Sequence, residues 1–397
     1  MSVKSDWPHH QRKRFSLGGF LWQGALIVAV LLVIGGAAWN AANGLARQGI
    51  ASGFGFLNNT AGFDISQHLI DYSAVSTYGQ AFLVGLLNTL VVSVIAIPLA
   101  TILGFIIGIM RRSDNWLLSR VAAGYVELFR NTPLLLQLLF WYNAVLVSLP
   151  SKVSESLHIG DVVYLNRRGL SLPQPVLGTQ IAAPLVALGI SVVLALLLRA
   201  WAIRRHRETG RDFPAFLIGA AIVCGLPLIA SLLTQQMTGV TAVSFDLPQP
   251  GRFGVTGGWQ MLPEFVALLL GLIIYTAASI AEVVRSGLSA VSKGQFEASH
   301  ALHLSPVLVL RLVVVPQAIR IIIPPLTNQY LNLVKNSSLA VAIGYPDLVQ
   351  VFAGTVLNQT GQAVEVVLMT MGVYLTISLI TSAAMNYYNE HVKLVER

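Results

Sequence analysis

Long apolar runs separated by short polar segments dominate this chain. A helix needs roughly 20 apolar residues to cross the hydrocarbon layer of a bilayer. The pattern predicts an all-α polytopic membrane helix bundle with about eight transmembrane helices. The predicted spans are residues 19–40, 80–110, 121–149, 182–203, 214–234, 262–285, 312–335 and 363–388. The seventh contains Pro316, Pro324 and Pro325, so a kinked or broken helix is expected there.

Composition supports a membrane location. Charged residues make up 11% of the chain and hydrophobic residues 55%, with a mean hydropathy of +0.69. A soluble domain carries about 25% charged residues. The net charge of +8 would suit a nucleic-acid partner. However, the basic residues stand at the ends of apolar runs, as bilayer topology predicts, so no nucleic acid is expected.

Positive charge also predicts the orientation. With the amino terminus inside, most of the 25 Lys and Arg residues fall in cytoplasmic segments. Both termini and the 286–311 loop are then cytoplasmic, and segments 41–79, 150–181 and 235–261 are external loops. The apolar core of the first span is longer than that of a signal peptide, which predicts a retained anchor helix. The predicted organisation is residues 1–79 as tail, extra helix and external loop, 80–388 as the main transmembrane domain, and 389–397 as a tail.

The sequence lacks the residues that nucleotide binding, metal binding and catalysis would need. No lysine follows a glycine, so the chain has no phosphate-binding loop, and ATP would have to be used by another subunit. His300 and His303 have helical spacing but lack further metal ligands, so no metal site is predicted. No catalytic constellation is recognisable, which argues against an enzyme. Among the acidic residues, Glu282 and Glu365 lie well inside apolar segments, as an ion-coupled secondary transporter would require.

A polar segment at 294–316, GQFEASHALHLSPVLVLRLVVVP, separates two long spans. Small residues would let a short helix approach a partner closely, and an acidic residue in its first turn favours the helix dipole. The candidate contact residues on this argument are Glu297, Ala298, Ser299 and Ala301, to which the family resemblance of the segment adds Gly294 and His303. An ordinary amphipathic loop helix is the alternative explanation.

This segment resembles the EAA loop by which permease subunits of ABC importers dock on their ATPase. Two positions depart from the pattern: Ser299 replaces the second Ala, and His303 stands where a Gly is expected. ELFRNTPLLLQ at 127–137 and the stretches flanking the loop resemble the polar amino acid uptake branch of these permeases, over roughly 80–149 and 262–388. The extra N-terminal helix and the inserted pair at about 182–234 resemble the enlarged general L-amino acid permease subunit.

The resemblance implies a five-helix type I importer core and ATP-driven uptake of L-amino acids, of broad or polar and acidic range, across the bacterial inner membrane. It implies three kinds of partner: an ABC ATPase, a second homologous permease (or a second copy of this chain), and a periplasmic amino-acid-binding protein. The chain itself would bind no cofactor. Two other classes stay open, namely an ion-coupled secondary transporter of small polar solutes and a non-transporting membrane scaffold.

Polar residues inside the spans are further candidates. Lys335, Asn336, Ser337 and Ser338 are expected to line a translocation path, because unpaired polar groups in a membrane are costly. A helix-ending turn with a snorkelling lysine is the alternative. Glu282 with Arg285, and Glu127 with Arg130, have i, i+3 spacing, which predicts local ion pairs, with gating as the second role. Gly104 and Gly108 form a GxxxG pattern that favours close helix packing.

Overall fold

The computed structural model describes residues 53–210, 213–251 and 254–392, and isolated positions between 22 and 44. The predicted first span at 19–40 falls across that interrupted stretch and lies partly outside the described residues. Most of the two predicted cytoplasmic tails lies outside them as well.

Helices make up most of the described chain. In chain order they are α1 (Tyr78–Met110), α2 (Trp116–Asn131), α3 (Leu134–Leu139, continued by a π-helical segment at Phe140–Leu146), α4 (Ala182–Thr209), α5 (Ala215–Thr238), α6 (Pro263–Ser289), α7 (Lys293–Ala301), α8 (Pro306–Val309, continued by a π-helical segment at Leu310–Val314), α9 (Val315–Asn336, continued by a 3-10 helix at Ser337–Ile343), α10 (Leu357–Thr360, preceded by a π-helical segment at Val349–Val356) and α11 (Ala363–Val392).

Six helical stretches in the described part are long and apolar enough to cross a membrane: α1, α4, α5, α6, the run Pro306–Ile343 and α11. The predicted polytopic helical fold is therefore confirmed. The prediction of one helix over 121–149 is wrong, because α2 ends at Asn131 and α3 begins at Leu134. Between them Pro133 lacks an N–H and holds Thr132 in an extended conformation, which interrupts the helical hydrogen bonds.

The span predicted at 312–335 is not broken at its prolines, because α9 is continuous through Pro324 and Pro325; a kink, the other form of that expectation, stays a prediction. The irregular geometry lies at its ends instead, in the π-helical segment before it and the 3-10 helix after it. Pro316 directly follows the π-helical segment, so its missing N–H removes a helical donor at the point where the hydrogen bonding is irregular.

Contacts divide the chain into two compact units, and the larger one comprises residues 89–345 and 378–397. Helix α6 lies at its centre, with Phe265, Leu268 and Leu272 fully buried. Glycines allow α1 to approach α6 closely: a Cβ added at Gly104 would lie 2.6 Å from Ile280, and one at Gly108 would lie 2.7 Å from Val284. The close packing predicted from the GxxxG pattern is confirmed.

The smaller unit comprises residues 1–88 and 346–377. Its core is aromatic: Phe56, Tyr78 and Phe352 are buried, and the ring of Phe56 contacts the rings of both Tyr78 and Phe352. The buried side chain of Asn88 donates to the carbonyl oxygens of Gln67 and Pro346, both at 2.8 Å. The side-chain amide of Asn88 thus provides donors for two backbone carbonyl oxygens that lie outside the helices and strands.

The segments on either side of the α4–α5 hairpin contain β-structure. The strands are β1 (Leu157–Ile159), β2 (Val163–Asn166), β3 (Gly169–Leu172), β4 (Gln174–Leu177), β5 (Val243–Asp246), β6 (Gln249–Pro250), β7 (Val255–Thr256) and β8 (Trp259–Met261). An antiparallel sheet has the order β1-β2-β3-β8, and β4 pairs with β5. Strands from before the hairpin therefore pair with strands from after it.

Candidate functional site

The short helix α7 carries the predicted docking residues. It begins after Ser292, which is extended, and ends before Leu302. Glu297, Ala298 and Ala301 are exposed, and no atom lies within 4 Å of a Cβ added at Gly294. This helix therefore presents small residues and one carboxylate on its outer side.

Ser299 faces inward, although the sequence predicted it as part of the docking surface. It is 3% exposed, and its hydroxyl donates to the carbonyl oxygen of Gln295 at 2.6 Å. Phe296 and Leu304 pack against the main core on the same side. The small hydroxyl side chain thus lets α7 lie close against its own chain, and the outer surface is formed by Glu297, Ala298 and Ala301.

His303 ends α7 in a left-handed conformation. Its φ is 51°, and it is the non-glycine residue with positive φ in the described part of the chain. The amide of His303 donates to the carbonyl oxygen of His300 at 2.9 Å, and that of Leu304 donates to Ser299 at 3.2 Å. These two bonds form a Schellman motif, whose left-handed position glycine normally occupies. The Gly expected here by resemblance therefore has a conformational reason, and His303 adopts that conformation at a steric cost.

Glu282 on α6 is surrounded by three arginines. Its carboxylate accepts a hydrogen bond from Arg111, just after α1, and another at 2.5 Å from Arg285 on the next turn. The Arg130 guanidinium lies 3.8 Å away. The predicted pair of Glu282 with Arg285 is confirmed. One carboxylate therefore joins the ends of α1, α2 and α6 and leaves an excess of positive charge.

Arg130 does not form the local pair predicted for it. In the described structure its ion pair is with Glu282, while Glu127 is exposed and has no ion pair. The reason is geometric, because Arg130 is in the last turn of α2 and faces α6. Sequence spacing identified Arg130 as a candidate but assigned it the wrong carboxylate.

A cleft of about 330 Å³ opens beside this cluster. It lies between α6 and α9, and Arg130 contributes from α2. Its lining residues are Arg130, Ser279, Glu282, Val283, Ser286, Gly287, Ile321, Pro325 and Gln329. The two helices touch closely at its edge, where a Cβ added at Gly287 would lie 2.4 Å from Ile322. The wall of the cleft mixes charged, amide and hydroxyl groups.

The two prolines of α9 add polar character to this cleft. Pro324 and Pro325 have no N–H, so the carbonyl oxygens of Arg320 and Ile321 lack their helical donors. Ile321 and Pro325 both line the cleft. Backbone acceptors without helical partners inside a membrane are tolerated where they face protein or a wet cavity.

The predicted pathway residues lie where α9 turns into a 3-10 helix. The hydroxyl of Ser337 donates to Val334 and that of Ser338 to Lys335, both at 2.7 Å. Ser337 is fully buried, whereas Lys335 is exposed and Asn336 half-buried. A pathway role here would therefore belong to Lys335, Asn336 and Ser338, and it stays a prediction.

A buried carboxylate in the smaller unit escaped the sequence reasoning. Asp347 is fully buried and accepts from the amide of Gln350 at 2.8 Å and from the Tyr374 hydroxyl at 3.3 Å. Burial raises the pKa of Asp347, which lies between two spanning segments, to about 7. The Pro346-Asp347 pair before an apolar run is a helix-start signal that could have identified it.

Glu365 was the other acidic candidate for a coupling-ion site. It lies in the first turn of α11, is 7% exposed, and accepts a 2.5 Å hydrogen bond from the amide of Gly53. A carboxylate at a helix start that binds a backbone amide has a structural role. Within the described residues, no group of three His, Cys, Asp or Glu side chains could hold a metal ion.

A family model described as "Binding-protein-dependent transport system inner membrane component" matches residues 96–394. The protein YhdX of Escherichia coli (strain K12), named as an amino-acid ABC transporter permease, is 48% identical over 95% of each chain. The general L-amino acid transport system permease protein AapQ of Rhizobium johnstonii is 49% identical over 94% of this chain and 92% of its own length. The glutamate/glutamine/aspartate/asparagine transport system permease protein BztB of Rhodobacter capsulatus is 40% identical over 94% and 93%.

Proposed function

The chain belongs to the family of binding-protein-dependent transport system inner membrane components, and we propose that it carries L-amino acids, of broad or polar and acidic range, through the inner membrane of a bacterium as the permease subunit of an ABC importer. The observation that carries the proposal is the likeness to amino-acid permeases over almost the full length of both chains. The polar cleft beside Glu282 gives a permease of this kind an opening between two spanning helices.

We infer that α7 docks on a separate ATPase and transmits the movement of that subunit to the rest of the chain. The chain has no phosphate-binding loop, so ATP would be hydrolysed by another subunit. The exposed, small-residue face of α7, with Glu297 on it, suits insertion into a groove of that subunit. Both termini and the segment holding α7 would then lie in the cytoplasm, in keeping with the distribution of Lys and Arg.

The connections of α7 explain how its movement would reach the cleft. Residues 290–292 alone separate α7 from α6, so a displacement of α7 would pull directly on the end of α6. On the other side, the Gln317 side chain of α9 donates to that of Gln295 on α7 at 3.2 Å. Helices α6 and α9 form the two walls of the cleft. A shift of α7 would therefore change the distance between those walls.

The ion cluster at Glu282 would hold one state of this gate. Its carboxylate connects α1, α2 and α6, and separating those helices would leave the guanidiniums of Arg111 and Arg130 without their anion. Because of this cost, the arrangement in which Glu282 is paired would be a discrete state of the gate, and the helices would not separate gradually. A second permease, or a second copy of this chain, would complete the path, and a periplasmic amino-acid-binding protein would deliver the substrate.

Reconstituted transport tests the proposal against the secondary transporter. Vesicles would contain this chain with its ATPase, second permease and binding protein, with ATP inside the vesicles at the ATPase face. We expect uptake of labelled glutamate or another L-amino acid that requires ATP and persists when ionophores remove the ion gradients. Uptake that needs no ATP and stops with the ionophores would contradict the proposal. Absence of any transport by a folded complex would favour the scaffold class.

A further inference from the structure

The α4–α5 hairpin carries an apolar groove with a basic residue in its wall. The groove has a volume of about 600 Å³. Residues spaced three or four apart place one face of each helix against it. Helix α4 contributes Val192, Ala195, Leu196 and Arg199, and helix α5 contributes Phe216, Gly219, Ala220 and Val223. Among the described residues that line the groove, Arg199 is the one with a charge.

More arginines follow towards the end of α4. Arg204, Arg205 and Arg207 lie within about 12 Å of Arg199 along the helix axis, at 1.5 Å per residue. None of these four guanidiniums forms an ion pair with a described carboxylate. The end of α4 therefore carries four arginines against one described carboxylate, that of Glu208, and has an excess of positive charge.

Aromatic contacts fix the basic end of the groove. The Arg205 guanidinium lies 5.1 Å from the ring centre of Trp201 and 5.8 Å from that of Phe213. The Trp201 and Phe213 rings meet edge to face at 5.2 Å. Phe213 also lines the groove. These contacts join α4 to the segment before α5 at the rim of the groove.

We propose that this groove binds an anionic phospholipid of the cytoplasmic leaflet, with one acyl chain between α4 and α5 and the phosphate at Arg199. The groove volume falls within the range of about 300–1,000 Å³ typical of small-molecule sites. Basic pockets between spanning helices on the cytoplasmic side attract acidic headgroups. The proposal depends on the cytoplasmic placement of the α4–α5 turn, and it holds whatever solute the protein transports.

Charge favours this occupant over a second copy of the hairpin. Between residues 182 and 207 of α4, and throughout α5, the sequence has no Asp or Glu. Two hairpins packed groove to groove would therefore bring two Arg199 guanidiniums together without an anion between them, and like charges repel. A phospholipid supplies both an acyl chain that contacts the apolar walls and a phosphate whose negative charge faces Arg199.

The test measures lipid binding to the intact purified transporter by native mass spectrometry, with dioleoyl phosphatidylglycerol and dioleoyl phosphatidylethanolamine as competing probes. The wild type is expected to retain phosphatidylglycerol preferentially. R199Q should lower its apparent affinity about fivefold, as expected for one basic residue at an anionic surface. R120Q removes an exposed charge from the predicted cytoplasmic end of α2 and should leave the affinity unchanged.

A second pair of variants tests the groove itself. A220F fills the groove and should reduce phosphatidylglycerol binding several-fold. A221F adds the same side chain one position along α5, off the groove, and should bind as the wild type does. Equal retention of both lipids by the wild type, or full binding by A220F, would overturn the proposal. Loss of a second chain from the complex in A220F, with lipid binding intact, would assign the groove to a protein partner instead.

Discussion

Arg111, directly after α1, donates a hydrogen bond to the carboxylate of Glu282 on α6, although the two residues are 171 positions apart in the chain. The same carboxylate binds Arg285 at 2.5 Å and lies 3.8 Å from Arg130. Three helices therefore meet at one anion, beside a cleft between α6 and α9. The charge of Glu282 therefore contacts three helices and also forms part of the cleft wall.

Glu282→Gln should weaken both packing and transport. The substitution leaves Arg111, Arg285 and Arg130 without an anion, at a cost of roughly 1–3 kcal/mol. We expect a lower thermal unfolding temperature in detergent and a loss of ATP-coupled uptake. Glu127→Gln is the matched control, because Glu127 is exposed and has no ion pair in the described structure. If both variants behave like the wild type, Glu282 holds no gate.

Glu297→Lys should block coupling without unfolding the protein. Glu297 is exposed on α7, so reversal of its charge removes no buried contact. We expect normal membrane insertion and thermal stability, with uptake and ATPase stimulation reduced at least tenfold. Glu208→Lys makes the same change at the exposed end of α4 and should transport normally. Wild-type uptake by the Glu297 variant would argue strongly against docking through α7.

His303→Gly should stabilise the end of α7. His303 has a φ of 51°, a conformation that costs a residue with a side chain about 1 kcal/mol and that glycine adopts freely. The variant should unfold at a slightly higher temperature, while His303→Val should unfold at a lower one. His303→Ala separates the two effects: it keeps much of the strain but removes the imidazole. Unequal uptake by the Ala and wild-type chains at equal stability would assign the imidazole itself a role.

Asp347→Asn should change the pH dependence of stability. Because burial raises the pKa of Asp347 to about 7, the folded protein holds a proton that the unfolded chain releases near pH 4. The contribution of the protonated Asp347 to the free energy of unfolding is fully present below about pH 4. It is lost as the pH rises through 7, and the free energy of unfolding then falls by up to about 4 kcal/mol. Thermal unfolding from pH 5 to 8 should show a steeper decline in the wild type than in the variant. Equal slopes would contradict the assigned titration.

Cysteine labelling should separate the members of the 335–338 cluster. The background would carry Cys224→Ser, because that native cysteine is exposed. Asn336→Cys should react with a soluble thiol reagent and be protected by substrate. Ser337→Cys should resist the reagent in both conditions, since Ser337 is fully buried. Labelling at position 336 that ignores substrate would support a helix-ending turn.

The long helices were predictable because twenty or more apolar residues leave few other structures inside a bilayer. The ends of these helices were less predictable. Helix α4 continues to Thr209, beyond the predicted end at residue 203, because its arginines extend the helix past the apolar layer. The break at Pro133 was visible in the sequence, but the length of the apolar run outweighed it. The strands before and after the α4–α5 hairpin were missed because two to four residues are too few for a period of two to emerge.

The site was predictable where its contacts are local. Arg285 follows Glu282 by one helical turn, and the spacing alone predicted their pair. Arg111 and Arg130 reach the same carboxylate through tertiary packing, which leaves no trace in nearby sequence. The inward direction of Ser299 could not be read either, because α7 is short and has no clear apolar face.

The pairing of β4 with β5 has a consequence for how the α4–α5 hairpin can vary. The amide of Gly178 lies 2.9 Å from the carbonyl oxygen of Ala242, so the chain departs into the α4–α5 hairpin and returns at nearly the same point. A segment whose two ends are neighbours can be lengthened, shortened or exchanged in a single genetic event without displacing what precedes and follows it. The hairpin can therefore diverge as a module, while the rest of the larger unit keeps its geometry.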